Sequence, residues 1–191
     1  VQKDLDTAFK YYALAAEQGH AGGLRGLGEM YELGTTGIEA DINLAIEYYL
    51  RAAELGDFVA EYNLGVFYQY GTGVTPDQEK SAHYLERAAN KGHTSAALNL
   101  GLFHQAGING KQDFKKAMYY FEQAADAGHP KAIGCIGVLW LNGLGVEKNV
   151  QKGLAFLEKS ATLGEVHSQY NLGLIYRIGE DVEQDLTKAE F

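Results

Sequence analysis

Asn63-Leu64-Gly65-Val66-Phe67-Tyr68-Gln69-Tyr70-Gly71 contains the pattern Leu-Gly-x-x-Tyr-x-x-Gly, which decides the fold because it returns four more times in edited form. The copies are Leu27-Gly28-x-x-Tyr31-x-x-Gly34, Leu100-Gly101-x-x-His104-x-x-Gly107, Ile136-Gly137-x-x-Trp140-x-x-Gly143 and Leu172-Gly173-x-x-Tyr176-x-x-Gly179. Their first glycines lie 37, 36, 36 and 36 residues apart. A fixed period of this size belongs to stacked supersecondary units, each unable to bury its apolar face alone.

A second pattern alternates with the first. It reads Asp4-x-x-x-Ala8, Tyr11-Tyr12, Ala15-Ala16, Gly19, and returns as Asp41, Ala45, Tyr48-Tyr49, Ala52-Ala53, Gly56. Further copies begin at Asp77 (Ser81, Tyr84, Ala88-Ala89, Gly92), Asp113 (Ala117, Tyr120, Ala124-Ala125, Gly128) and Asn149 (Gly153, Phe156, Ser160-Ala161, Gly164). A further start at Asp185 with Ala189 stops at Phe191. Each copy predicts a helix: an acid or amide caps the first turn, apolar residues at three- and four-residue spacing make one buried stripe, and the glycine suits a left-handed C-terminal cap. The Leu-Gly-x-x-Tyr segments predict helices too, so the chain reads as antiparallel helix pairs with short connections.

Glycine in a helix interior costs about 1 kcal/mol relative to alanine. Gly28, Gly65, Gly101, Gly137 and Gly173 at one register therefore predict close helix approach, with the paired alanines of the partner helix small for the same reason. The loop glycines Gly71-x-Gly73-Val74-x-x-Asp77 and Gly143-x-Gly145-Val146-x-x-Asn149 are turn chemistry. Gly34-Thr35-Thr36-Gly37-Ile38 has one extra residue, and Gly107-Ile108-Asn109-Gly110 and Gly179-Glu180-Asp181-Val182 depart from the motif. A phosphate-cradling loop would need a flanking strand and a Lys-Ser/Thr end, which these lack.

The net charge of −9 argues against nucleic acid as a ligand. Cys135 is the sole cysteine, so there is no internal disulfide framework. No signal-peptide pattern opens the chain, and the longest apolar run, about Ala132 to Leu141, is too short to cross a bilayer. No Asn-x-Ser/Thr acceptor occurs. The compartment is thus not encoded, with a lean to the cytoplasm.

His20, His93 and His129 recur one per repeat after a helix-ending glycine, too far apart to share an ion, and read as loop polarity. His104 replaces an aromatic, and His83 and His167 have no second ligand at metal spacing. Cys135, flanked by Gly134, Ile136 and Gly137, reads as a buried, inert thiol. The acids Asp4 and Asp6, and Glu180, Asp181 and Glu183, read as caps and solvated loops. No catalytic residue, cofactor site or metal site is therefore predicted.

Taken together, Ala52-Ala53-x-x-Gly56, Leu64-Gly65-x-x-Tyr68-x-x-Gly71-x-Gly73-Val74 and Asp77-x-x-x-Ser81 resemble Sel1-like repeats, relatives of the tetratricopeptide repeat with a longer inter-helix loop. The resemblance covers essentially the whole chain. It implies an all-α superhelix (solenoid) of antiparallel helix pairs, with about five repeats over residues 1–191 in units near 1–20 (partial), 21–56, 57–92, 93–128, 129–164 and 165–191 (truncated). Both ends read as cut from a longer array. The lone Cys135 separates the chain from the disulfide-closed bacterial subgroup.

The function implied is a non-catalytic protein–protein adaptor or scaffold gripping a protein or peptide on its concave face. The alternative is a spacer in a larger assembly, such as an ER-associated degradation ligase subunit or a bacterial host-interaction protein; an enzyme module comes third. By analogy with the tetratricopeptide architecture the Leu-Gly helices line that face. The expected partner-binding residues are Arg25, Tyr62, Val66, Gln69, Tyr70, Leu98, Gln105, Tyr170 and Arg177. Val66, with Leu102, Val138 and Leu174, doubles as inter-repeat packing. The carboxylate clamp of chaperone-binding relatives is not matched: Arg25 and Asn63 fit, but Glu29 would repel the ligand.

Overall fold

The computed structural model describes residues 4–34, 37–107 and 110–179. The expected sixth start at Asp185, the acids Glu180, Asp181 and Glu183, and the loop residues Thr35, Thr36, Ile108, Asn109 and Val182 lie outside them. The described residues form ten α-helices: α1 (Leu5–Glu17), α2 (Ala21–Leu33), α3 (Ile42–Glu54), α4 (Phe58–Tyr70), α5 (Gln78–Asn90), α6 (Thr94–Ala106), α7 (Phe114–Asp126), α8 (Pro130–Asn142), α9 (Val150–Thr162) and α10 (Val166–Ile178). The all-helical fold expected from the repeat is what forms. The chain divides into two compact units, residues 1–96 and 97–191. In the first, α1 packs on α2, α2 on α3, α3 on α4 and α4 on α5; in the second, α7 packs on α8, α8 on α9 and α9 on α10.

The first helix of each repeat starts as its sequence predicts. Asp4, Asp41, Asp77, Asp113 and Asn149 each accept a first-turn amide N–H on the side chain, satisfying a donor that has no partner inside the helix. Four of these caps are also tied to the signature motif. The backbone N–H groups of Asp41, Asp77, Asp113 and Asn149 donate to the carbonyls of Tyr31, Tyr68, His104 and Trp140 at 2.8–2.9 Å. The aromatic of Leu-Gly-x-x-Tyr thus sets, through its own backbone, where the next helix begins.

The turn inside each repeat is tighter still. Asp57 N–H donates to the Ala52 carbonyl and Gly56 N–H to the Ala53 carbonyl, both at 3.0 Å. This paired return satisfies two carbonyls at the end of α3 and needs Gly56 at φ +88°. Asp57 then accepts from Val59 N and Ala60 N and caps α4. One residue therefore closes one helix and opens the next. His20, His93, His129 and Glu165 hold the same place. This corrects the reading of His20 and His93 as mere loop polarity: their Nδ1 atoms accept from Gly23 N and Ala96 N at 3.2 and 3.1 Å. His129 makes no such bond and is followed by Pro130 at the first helical position, where a missing N–H costs nothing.

The core is sealed by the helix that follows the signature glycine. An added Cβ at Gly28 would lie 2.7 Å from the Tyr49 ring, at Gly65 2.7 Å from Leu85, at Gly101 2.4 Å from Phe121, and at Gly137 2.9 Å from the Gly153 carbonyl and 3.0 Å from Leu157. The partner of the glycine is thus a large residue of the next helix rather than the paired alanines, which corrects the sequence expectation. Tyr49, Leu85, Phe121 and Leu157 are all fully buried. Beside three of these contacts the motif's aromatic stacks on the same following helix. Tyr31 lies parallel to Tyr48, Tyr68 to Tyr84 and His104 to Tyr120, with ring centroids 5.7, 5.8 and 5.5 Å apart. His104 is the packed aromatic substitute its position implies.

Candidate partner-binding surface

All nine expected partner-binding residues fall on α2, α4, α6 and α10, and the structure divides them into two kinds. Some are occupied by the repeat joints. Arg25 donates from Nε to Asp57 at 3.2 Å and also bonds Glu29. Burial opposes its charge, but Glu29 and Asp57 together hold the guanidinium pKa above its ordinary value. Tyr62, the equivalent residue one repeat on, stacks on His93 with centroids 4.3 Å apart. Each therefore touches the residue that caps the next Leu-Gly helix. Burial pushes the His93 pKa down, and the accepted hydrogen bond at Nδ1 suits the neutral ring. Leu98 is 7% exposed and belongs to the core, while Val66, Gln69 and Gln105 are half-buried.

The others face solvent. Tyr70 is 71% exposed in the first unit, and Tyr170 is 66% exposed in the second, where Ile178 and Arg177 also lie open. Leu33, at the same register as Tyr70 and Ile178, is likewise exposed. Large apolar side chains at the C-terminal ends of α2, α4 and α10 are therefore left uncovered among the described residues. The side-chain carbonyl oxygens of Gln69 and Gln105, one residue before this register, are buried without a hydrogen-bond partner among the described residues.

The second unit also has two hollows. One, of about 450 Å³, is lined by Glu158, Ala161, Gln169, Leu172, Gly173 and Tyr176 of α9 and α10. It lies on the side of α10 that, in the four earlier copies, packs on the following helix. The other, of about 190 Å³, is bounded by residues of α6, α8 and α10, among them Gln105, Lys131, Gly134, Cys135, Val138 and Asn171. Sequence reasoning missed it because two of its lining residues, Gly134 and Cys135, differ from those of the other repeats. Gly134 stands where Arg25, Tyr62, Leu98 and Tyr170 stand elsewhere, and a Cβ on it would lie 2.3 Å from Ser168 Oγ. Ser168 Oγ donates to Ser160 Oγ, and Ser160 Oγ to the Pro130 carbonyl, both at 2.8 Å.

Cys135 fits the description of an unreactive thiol. Burial raises its pKa from 9.0 to about 11, with Lys131 opposing and Glu165 adding to the rise. A two-unit rise removes about 99% of the thiolate at pH 8, and the greater basicity of what remains returns roughly eightfold in reactivity. Alkylation of the folded chain by N-ethylmaleimide at pH 8 is expected to run about tenfold slower than that of a free cysteine. A rate equal to that of the denatured chain would contradict the burial. Among the described residues, no three His, Cys, Asp or Glu side chains converge as a metal site, and no helix is long and apolar enough to cross a membrane.

Comparison with known proteins agrees with this geometry. The family model described as Sel1 repeat matches residues 1–20, 21–57, 59–93, 94–129, 136–165 and 166–191. No curated protein matches the chain. Among solved structures, the chain is similar to a Sel1 repeat protein from Oxalobacter formigenes, at 34% identity and a TM-score of 0.86, covering 100% of this chain and 78% of that one. It is also similar to a protective antigen of uropathogenic Escherichia coli strains displaying an SLR fold, at 32% identity and a TM-score of 0.88, covering 95% of this chain and 39% of that one. Cysteine-rich protein B of Helicobacter pylori is similar at 26% identity and a TM-score of 0.52, over 71% of this chain and 96% of that one.

Proposed function

The chain belongs to the Sel1-repeat family, and we propose that it acts as a non-catalytic adaptor that holds a partner protein or peptide against its Leu-Gly helices. The family generally mediates protein–protein interaction. The observation that carries the proposal is the uncovered apolar set on those helices, above all Tyr70 and Tyr170, which are 71% and 66% exposed. Tyrosine offers a large contact area at little cost in side-chain entropy and is a frequent interface anchor. Arg25 and Tyr62 support that surface from beneath by fixing the spacing of successive helices.

The test is a Tyr70→Ser/Tyr170→Ser double variant. Both side chains are exposed, so stability should change by no more than about 0.5 kcal/mol per site. A protein captured by the wild-type chain, then purified and titrated against both forms by calorimetry, should bind the variant at least tenfold more weakly. Equal affinity for every captured partner would make the array a spacer that only holds flanking segments apart.

A further inference from the structure

We propose that His93 is a pH-sensitive latch on the start of α6, the helix along which the chain passes from its first unit into its second. The neutral ring closes the latch, and protonation releases the first turn of α6. The latch is independent of the adaptor function above, since it concerns how α6 begins rather than what the array holds.

The first unit ends at Ala96, within the first turn of α6. That turn is tied to the two helices before it. His93 N–H donates to the Ala88 carbonyl near the end of α5 at 3.0 Å. Ala96 N–H is shared between His93 Nδ1 at 3.1 Å and the His93 carbonyl at 3.0 Å. On α4, the imidazole lies nearly flat against the Tyr62 ring, with centroids 4.3 Å apart and 18° between planes. It stands at 65° to the Phe58 ring, 5.9 Å away. The stack fixes the plane of the imidazole, and within that plane only an unprotonated nitrogen can accept from Ala96.

Protonation at Nδ1 would turn this acceptor into a donor facing a donor. It would also put a positive charge at a helix N-terminus, where the dipole opposes it. The charged groups on the elements packed against His93 are committed to one another. On α4, Asp57 is bound to Arg25 and caps its own helix. Glu61 is bound to Arg87 and Lys91 of α5. The first turn of α6 carries no acid.

Burial outweighs the pull of the ring's own carbonyl and lowers the His93 pKa from its ordinary 6.5. A histidine whose pKa falls on folding adds stability that is fully present above the ordinary value. That stability is lost as pH drops through the lower, folded value. The latch therefore holds at neutral pH and opens on acidification below 6.5.

Nuclear magnetic resonance on the intact chain tests this. The His93 ring should titrate with a midpoint below 6.5. Tyr62→Ala, which opens one face of the ring to water, should move that midpoint upward. Amide exchange at Ala96, corrected for the intrinsic pH dependence of the chemistry, should report opening about fivefold more frequent near pH ~5 than near pH ~7.5, the effect of one lost cap. His93→Asn keeps a cap acceptor that does not titrate, and should hold the opening constant within about twofold over the same range. A wild-type midpoint at or above 6.5, as a dominant attraction of the imidazolium for the Tyr62 face would give, overturns the latch. Ala96 exchange that ignores pH overturns it as well. So does an acid-induced rise that persists undiminished in His93→Asn, which would place the sensitivity elsewhere in the fold.

Discussion

Gly101→Ala is expected to destabilise the chain by about 2 kcal/mol, even though alanine is favoured over glycine in a helix by about 1 kcal/mol. The added methyl would sit 2.4 Å from two ring atoms of Phe121, which is fully buried and has nowhere to rotate. Overpacking of this kind typically costs about 1–3 kcal/mol and displaces backbone. A contact this short, against a rigid ring rather than the end of a flexible chain, belongs at the upper end. Phe121→Ala alone should cost about 3–5 kcal/mol through the cavity it leaves. Combined with Gly101→Ala it should cost less than the sum by about 3 kcal/mol, because the ring that clashes is gone while the helix preference for alanine remains. Urea unfolding followed by far-ultraviolet circular dichroism would measure all three variants. Strict additivity would mean that Gly101 is not held by Phe121.

That contact shows where the sequence stopped being readable. A buried glycine at a constant register announces that something comes close, but the approaching residue is 20 or 21 positions away and varies between Tyr49, Leu85, Phe121 and Leu157. Only size is shared, so no identity repeats for the eye to find. The paired alanines repeat in four of the five copies and were the natural, incorrect partner. In the turn, histidine is an unusual N-cap, so His20 and His93 read as polar filler. Their register with Asp57 and Glu165, ordinary acidic caps, held the signal.

The surface was legible by element and less so by residue. Placing every candidate on the Leu-Gly helices needed only the repeat phase. Distinguishing Tyr70 from Tyr62 needed the neighbour: Tyr62 meets His93, 31 residues on, whereas Tyr70 ends its helix exposed among the described residues. Arg25 and Asp57 are separated by 32 residues and their bond was equally hidden. The hollow between α6, α8 and α10 was hidden for the opposite reason. It is bounded by Gly134 and Cys135, which depart from their register, and repetition does not reveal exceptions.

Replacing both Arg87 and Lys91 by Met is expected to cost about 4 kcal/mol, whereas Glu61→Leu should stay within about 1 kcal/mol of the wild type. Glu61 is fully buried on α4, and its Oε1 accepts from Arg87 at 2.6 Å and Lys91 at 2.9 Å. The two cations also donate to the carbonyls of Ala53 and Gly56 at the end of α3, where the helix dipole favours positive charge. Removing them leaves a carboxylate with no counter-ion in the interior, the case that costs about 3–5 kcal/mol. Removing the carboxylate is different, because Arg87 and Lys91 are 40% and 38% exposed and can be hydrated where they stand. Glu61 Oε2 is moreover buried and unpaired, so leucine eliminates an unsatisfied acceptor worth about 1–3 kcal/mol. Leu24 and Ile133 occupy the same register in other repeats and are buried there, which shows that the seat accepts an aliphatic side chain. A Glu61→Leu loss as large as that of the double cation variant would mean the ion triad stabilises the fold outright. The predicted asymmetry would instead give Glu61 a different role: it fixes the pairing of α4 with α5 through charge, at a site where packing alone would have served stability.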